Sequence, residues 1–223
     1  MQRRFEEELE ELRNKLLRMA ALAEASVSSA MAALVDSDSA VAQRVIDSDD
    51  EINRLEVEID NFCVELLARR QPMASDLRFI ASAMKINNDL ERIGDHGVNI
   101  AERTVELLKE PRIKPLVDLP RLAAIAQHMV KNALDAFVQH DAEIALQVCR
   151  RDDEVDNLND QIIRALLTYM MNDPKTIARA LSLIIISKNL ERVADLATNI
   201  AEEVIYILEA RTIKHHLEKT DSD

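Results

Sequence analysis

A chain of 223 residues with only two glycines, five prolines and 3% aromatics is poor in the residues that make turns and face sheets. That excludes an all-β domain and points to long helices joined by short turns. Its net charge of −13 excludes nucleic acid as a partner, because that affinity comes from cations meeting phosphates, and suits cations or basic protein surfaces.

Residues 2–34 carry Phe5, Leu9, Leu12, Leu16, Met19, Ala23, Ala30 and Leu34 at steps of three and four, the pattern of an amphipathic helix. The N-terminal MQRRFEEELEEL has no apolar core and is not a signal peptide. Val35-Asp36-Ser37-Asp38 breaks the pattern, and Ser37 or Asp38 caps the next helix. That second helix is predicted over 39–69, with a seam of Val41, Val45, Ile52, Leu55, Ile59, Phe62 and Leu66. Gln71-Pro72 ends it, since the residue before proline is pushed out of the α region. A third helix is predicted over 73–109. Pro111, Pro115 and Pro120 then mark the one linker, 110–120. A fourth helix follows over 119–139, a break at Gln139-His140-Asp141, a fifth over 142–172 ending at Asp173-Pro174, and a sixth over 175–210. The longest apolar run, Ala180 to Ile186, is far short of the roughly 20 residues of a membrane span. Cys63 and Cys149 sit singly in helical patterns, which predicts buried, reduced thiols and a reducing compartment. The pairs Arg3-Arg4, Arg69-Arg70 and Arg150-Arg151 read as solvated surface.

The chain says much of this twice. Residues 90–102 read LERIGDHGVNIAE and residues 190–202 read LERVADLATNIAE, identical at eight of thirteen positions. Asp38 to Ala42 matches Asp141 to Ala145, and Asp49-Asp50-Glu51-Ile52 matches Asp152-Asp153-Glu154-Val155. The expected fold is all-α: two tandem three-helix bundles related by internal duplication, residues 1–110 and 117–215, with a charged tail at 216–223.

The repeated residues are mostly polar, so they are more than a shared core. On a helix Glu91, Asp95, Val98 and Glu102 share one face, a stripe that extends back through Asn88, Met84, Ile80 and Leu77. Glu191, Asp195, Thr198 and Glu202 repeat it. The second helix of each unit offers another i, i+4 oxygen pair: Asp49 with Asn53, and Asp152 with Asp156. Two facing helices that each bring such a pair make a site for a hard cation. The plain alternative stays open. A second seam at Ile86, Leu90, Ile93, Gly97 and Ile100 leaves the acids as a solvated face paired with Arg92 or Lys85, and Asp49 and Asp152 as polar surface. Gly94 and Gly97 lie mid-helix at a cost of ~1 kcal/mol each, which predicts close helix approach there. His96 falls on another face and is not a ligand. No Glu-x-x-His pair occurs on these helices, against a ferritin-like di-iron centre.

The doubled L-E-R-[IV]-[GA]-D-x-x-x-N-I-A-E resembles the PhoU phosphate-uptake regulators, as do the stretches at 68–78 and 167–174. The resemblance covers nearly the whole chain. It implies two similar bundles side by side and a cytoplasmic, non-enzymatic negative regulator of phosphate uptake and phosphate-starvation signalling. It implies partners: a sensor histidine kinase and the ATPase of a phosphate ABC transporter. The membrane is reached only through them. It also implies a homodimer. A multinuclear metal centre of iron, zinc, manganese or magnesium is implied on Glu91, Asp95, Glu191, Asp195, Asp49, Asn53, Asp152 and Asp156. Asn53 departs from the full carboxylate pattern, as a neutral and weaker ligand. Two other readings compete: a ferritin-like carboxylate metalloenzyme, and a helical scaffold whose acids only solvate it.

Overall fold

The computed structural model describes residues 2–111, 116 and 118–213. The tail at 216–223 and part of the proline linker lie outside the described residues. Among these residues are eight α-helices and no strand: α1 (Gln2–Asp36), α2 (Ser39–Asp47), α3 (Asp49–Arg70), α4 (Ala74–Leu107), α5 (Leu119–Gln139), α6 (Ala142–Cys149), α7 (Asp152–Asn172) and α8 (Ile177–Glu209). A short 3₁₀ turn, Pro174–Thr176, leads into α8.

The duplication reaches the atomic detail of the helix ends. Ser37 and His140 both take the left-handed conformation after the first helix of each unit. The amide of Asp38 then donates to Ala33 O at 2.9 Å, and that of Asp141 to Ala136 O at 3.1 Å. Both junctions satisfy carbonyls that the helix end would otherwise orphan. Asp38 and Asp141 next cap the following helix, each accepting from the amides two and three residues on, a bond set worth about 1 kcal/mol.

The second and fifth predicted helices are each split in two. Ser48 ends α2, its hydroxyl and amide both turned back to Val45 O, and α3 begins at once on Asp49-Asp50-Glu51. The break at Arg150-Arg151 repeats this before Asp152-Asp153-Glu154. Three acids suit the positive end of a new helix dipole. The side chain of Ser48 makes no capping bond at the start of α3.

Each unit packs its first helix and its split second helix around its last: α1, α2 and α3 on α4, and α5, α6 and α7 on α8. The buried seam of α4 is Ile86, Leu90, Ile93 and Ile100, and α8 repeats it with Ile186, Leu190, Val193 and Ile200. Leu12, Leu16 and Met19 of α1 fill the facing space. Each such side chain contributes about 1.5–3 kcal/mol on burial. By length and apolar content α1 alone among the described helices could cross a membrane, but half of its most apolar stretch is buried in this core. The expected close approach at the glycines is present. A Cβ on Gly97 would sit 2.9 Å from the Ser26 backbone carbon, and one on Gly94 would meet Ile52 Cδ1 at 2.8 Å.

The units meet through α4 and α8, which pack on one another along their length. Ser82 lies against Glu203 and, further along α4, His96 lies against Asn189, so the two helices run antiparallel. Arg70 departs from the solvated-surface reading. Its guanidinium grips Glu8 through two bonds, Nε to Oε2 at 2.8 Å and Nη2 to Oε1 at 2.5 Å, and ties the end of α3 to the start of α1.

Candidate functional site

The acidic stripe is not the buried seam of α4. Coverage by α1, α2, α3 and α8 leaves Glu91 half-buried and Asp95 exposed at the margin between α3 and α4. Asp49 and Asn53 come to the same margin from the first two turns of α3, both half-buried. They bond to each other, Asn53 Nδ2 donating to Asp49 Oδ2 at 2.8 Å. The other oxygen, Asp49 Oδ1, is buried and has no partner. An unmatched buried acceptor costs roughly 1–3 kcal/mol.

The charges at this first rim act on one another. Burial, then Asp95, Glu56 and Asp49, pushes the Glu91 carboxyl above its ordinary range. Burial and then Asp49 push Asp95 up. Glu56 was not singled out from the sequence; its signal was a place one turn beyond Asn53. The cations that the plain reading assigned to these acids are engaged elsewhere. Arg92 reaches Asp89, and Lys85 bonds Glu203 at 2.9 Å.

The second rim, between α7 and α8, has the same plan. Asp152 is half-buried, with Asp156 one turn on and exposed. Glu191 and Asp195 face them from α8, and Thr198 Oγ1 donates to Asp152 Oδ1 at 3.5 Å. Burial raises Asp152 and Asp156, with Asp156 acting on the first and Glu191 on the second. The largest effect falls on Asp195, pushed up to about 6 by burial and then by Asp152, Glu191 and Asp156. This rim carries one internal cation, Lys188, whose ammonium bonds Glu191 at 2.8 Å; the first rim has Asn88 at that place. All eight residues named from the sequence therefore come together, four at each rim.

The donor set is entirely oxygen, which suits hard cations. The orphaned Asp49 oxygen and the crowded, proton-holding carboxyls fit such an ion. No three His, Cys, Asp or Glu side chains among the described residues already surround one point, so an ion would draw side chains in from both helices. His96 takes no part: its Nδ1–H donates to Asn189 Oδ1 at 2.8 Å in the α4–α8 interface. The thiols are buried as expected. Burial lifts both Cys63 and Cys149 to about 12, so they stay protonated.

A pH effect arises from Asp195. Its carboxyl holds a proton more tightly folded than unfolded, so this group contributes stability at acid pH and loses it as pH rises through about 6. In chelator-treated protein, Asp195→Asn should raise the melting temperature at pH 7 by a few degrees. That corresponds to on the order of 1 kcal/mol once solvent screening of an open site is allowed for. It should also flatten the fall in stability between pH 4 and 7. Thermal melts across that range check it; a variant whose slope matches the parent's counts against the assignment.

Comparison with known proteins shows the family and the fold. The PhoU domain matches residues 16–104 and again residues 119–204. The phosphate-specific transport system accessory protein PhoU homolog of Pseudomonas aeruginosa is 45% identical over 212 residues, 95% of this chain and 88% of that protein. The crystal structure of PhoU from the same organism superposes with a TM-score of 0.91 at 46% identity, over 93% of this chain and all of that one. That of the phosphate transport system regulatory protein PhoU from Streptococcus pneumoniae gives 0.86 at 32% identity, over 93% of this chain and 98% of that one. The chain belongs to the PhoU family.

Proposed function

We propose that this member of the PhoU family is a cytoplasmic negative regulator of phosphate uptake and phosphate-starvation signalling, an adaptor between a sensor histidine kinase and the ATPase of a phosphate ABC transporter. Its curated relatives are named as accessory proteins of the phosphate transport system. The observation that carries the finer reading is the pair of acidic rims. The same four positions gather oxygen ligands in both units, and Glu91, Asp95, Asp152, Asp156 and Asp195 hold their protons above the ordinary range. Asp49, Asn53, Glu91 and Asp95 hold a cation at one rim, and Asp152, Asp156, Glu191 and Asp195 at the other. Magnesium, manganese, iron or zinc serves, as a multinuclear centre where more than one ion enters. A bound cation would offset the negative charge of the carboxylates at the surface that partners recognise. The relatives' naming as accessory and regulatory proteins supports recognition over catalysis. The adaptor works as a homodimer and reaches the membrane only through its partners.

Deleting the protein should leave phosphate-starvation genes on in phosphate-rich medium. Replacing Glu91→Gln, Asp95→Asn, Glu191→Gln and Asp195→Asn together should weaken repression severalfold while helicity by circular dichroism is kept. Normal repression by that variant would place the function elsewhere. A regulator shifts a partner only by binding its two states differently, so pull-downs of the kinase and of the transporter should differ between high and low phosphate.

A further inference from the structure

The first unit holds a cavity at a place where its twin carries larger side chains. It measures about 290 Å³ and lies between α1, α2 and α3, lined by Ser26, Ser29, Arg44, Ser48 and Glu51 among apolar residues. The matching position to Ser48 is Arg151, and to Ala25 it is His128. In the second unit these two side chains meet, Arg151 Nη1 donating to His128 Nδ1 at 3.0 Å, and Arg151 also reaches Glu154. In the first unit the small Ala25 and Ser48 leave that space open. The cavity carries its cation at a different place: Arg44 stands where the second unit has Gln147. Among the described residues Arg44 has no ion-pair or side-chain hydrogen-bond partner. The one carboxylate in the wall, Glu51, is matched by Arg18 at 2.8 Å. The neighbouring acids look elsewhere, Asp47 to Gln43 and Asp49 to Asn53. With Glu51 matched by Arg18, the guanidinium of Arg44 is left unengaged in a wall that also holds the Ser29 hydroxyl, while Ser26 and Ser48 donate to Gly94 O and Val45 O.

We propose that this cavity binds a phosphate-class oxyanion, held by Arg44 and hydrogen-bonded by Ser29, with the Ser48 hydroxyl turning from Val45 O to join it. A planar guanidinium matches tetrahedral oxyanions through paired N–H donors, and hydroxyls add donors that turn to fit. The volume leaves room for waters, or for the organic part of a phosphate monoester. The inference does not rest on the acidic rims or on the adaptor reading.

The test is calorimetric titration of the full chain with inorganic phosphate, in chelator and at low ionic strength, with glycerol phosphate as a second arm. Acetate is the carboxylate control. Three proteins are compared. Arg44→Gln installs the residue of the second unit, Ala25→Leu fills the mouth without adding charge, and the parent is the reference. Saturable binding of either phosphate is expected in the parent, weakened at least tenfold in both variants. The arm that binds more tightly tells free phosphate from a monoester. Binding by the parent that either variant retains, equal binding of acetate, or no binding of either phosphate overturns the proposal. Unchanged helicity in both variants excludes misfolding as the cause. A failure here leaves metal content and repression at the rims unaffected.

Discussion

Gly97→Leu should unfold the first unit or cost several kcal/mol, the largest loss expected from a single change outside the aliphatic core. Leucine is the better helix former by roughly 0.8–1 kcal/mol, so propensity alone predicts a gain. Packing decides the sign. A Cβ at this position meets the Oγ of Ser26, and lies 2.9 Å from that residue's backbone carbon. A backbone of α1 cannot turn aside as a side-chain tip does, so both helices must separate, and overpacking of this kind costs typically 1–3 kcal/mol even for small additions. Gly97→Ala should therefore lose about 1–2 kcal/mol, net of its helix gain. Gly94→Ala makes the contrast. Its close neighbour is the mobile end of Ile52, so that change should be near neutral. Denaturant melts of the three variants separate the two accounts. Equal effects at 94 and 97 would mean that propensity, not helix approach, sets the cost.

The second large effect is expected at the contact between units. Glu203 is almost fully buried and is satisfied by Ser82 Oγ at 2.8 Å and by Lys85 Nζ at 2.9 Å. Lys85 also lies over the ring of Tyr206. Removing one partner of such a pair leaves the other charge buried and unmatched, which costs roughly 3–5 kcal/mol in a closed site. Lys85→Ala should cost less, about 2 kcal/mol, because its ammonium is itself half open to water. Glu203→Gln keeps the bond to Ser82 and should be milder than Glu203→Ala. If Glu203→Ala melts like the parent, the polar clasp is not what holds α4 to α8.

Most of the helices were legible in the sequence because proline and aspartate mark their ends. Pro72, Asp173-Pro174 and Asp38 act locally, and local signals survive into the fold. The breaks at Ser48 and Arg151 were hidden because the apolar stripe runs through the first of them in phase. Val45 and Ile52, both buried, are seven residues apart, two helical turns. The useful signal was the run of three acids after each break, a helix start that lacks proline or glycine. The rims were legible as spacing, since i, i+4 pairs fix a face on any helix. Their exposure was not, because which stripe of α4 is covered depends on where α1, α3 and α8 sit. The same limit hid Arg70, whose partner Glu8 lies 62 residues away, and the clasp of Ser82 and Lys85 on Glu203. The cavity beside Arg44 becomes visible only when the two folded units are compared.

The most direct test of the account is the metal content of the protein. Parent, Asp95→Ala, Asp195→Ala and the double variant should be purified alike, loaded with each candidate cation, desalted, and measured for metal per chain by mass spectrometry. The account predicts bound metal in the parent, a loss confined to one rim in each single variant, and near-complete loss in the double variant with its helices intact. Metal per chain that is the same in the parent and the double variant would contradict it.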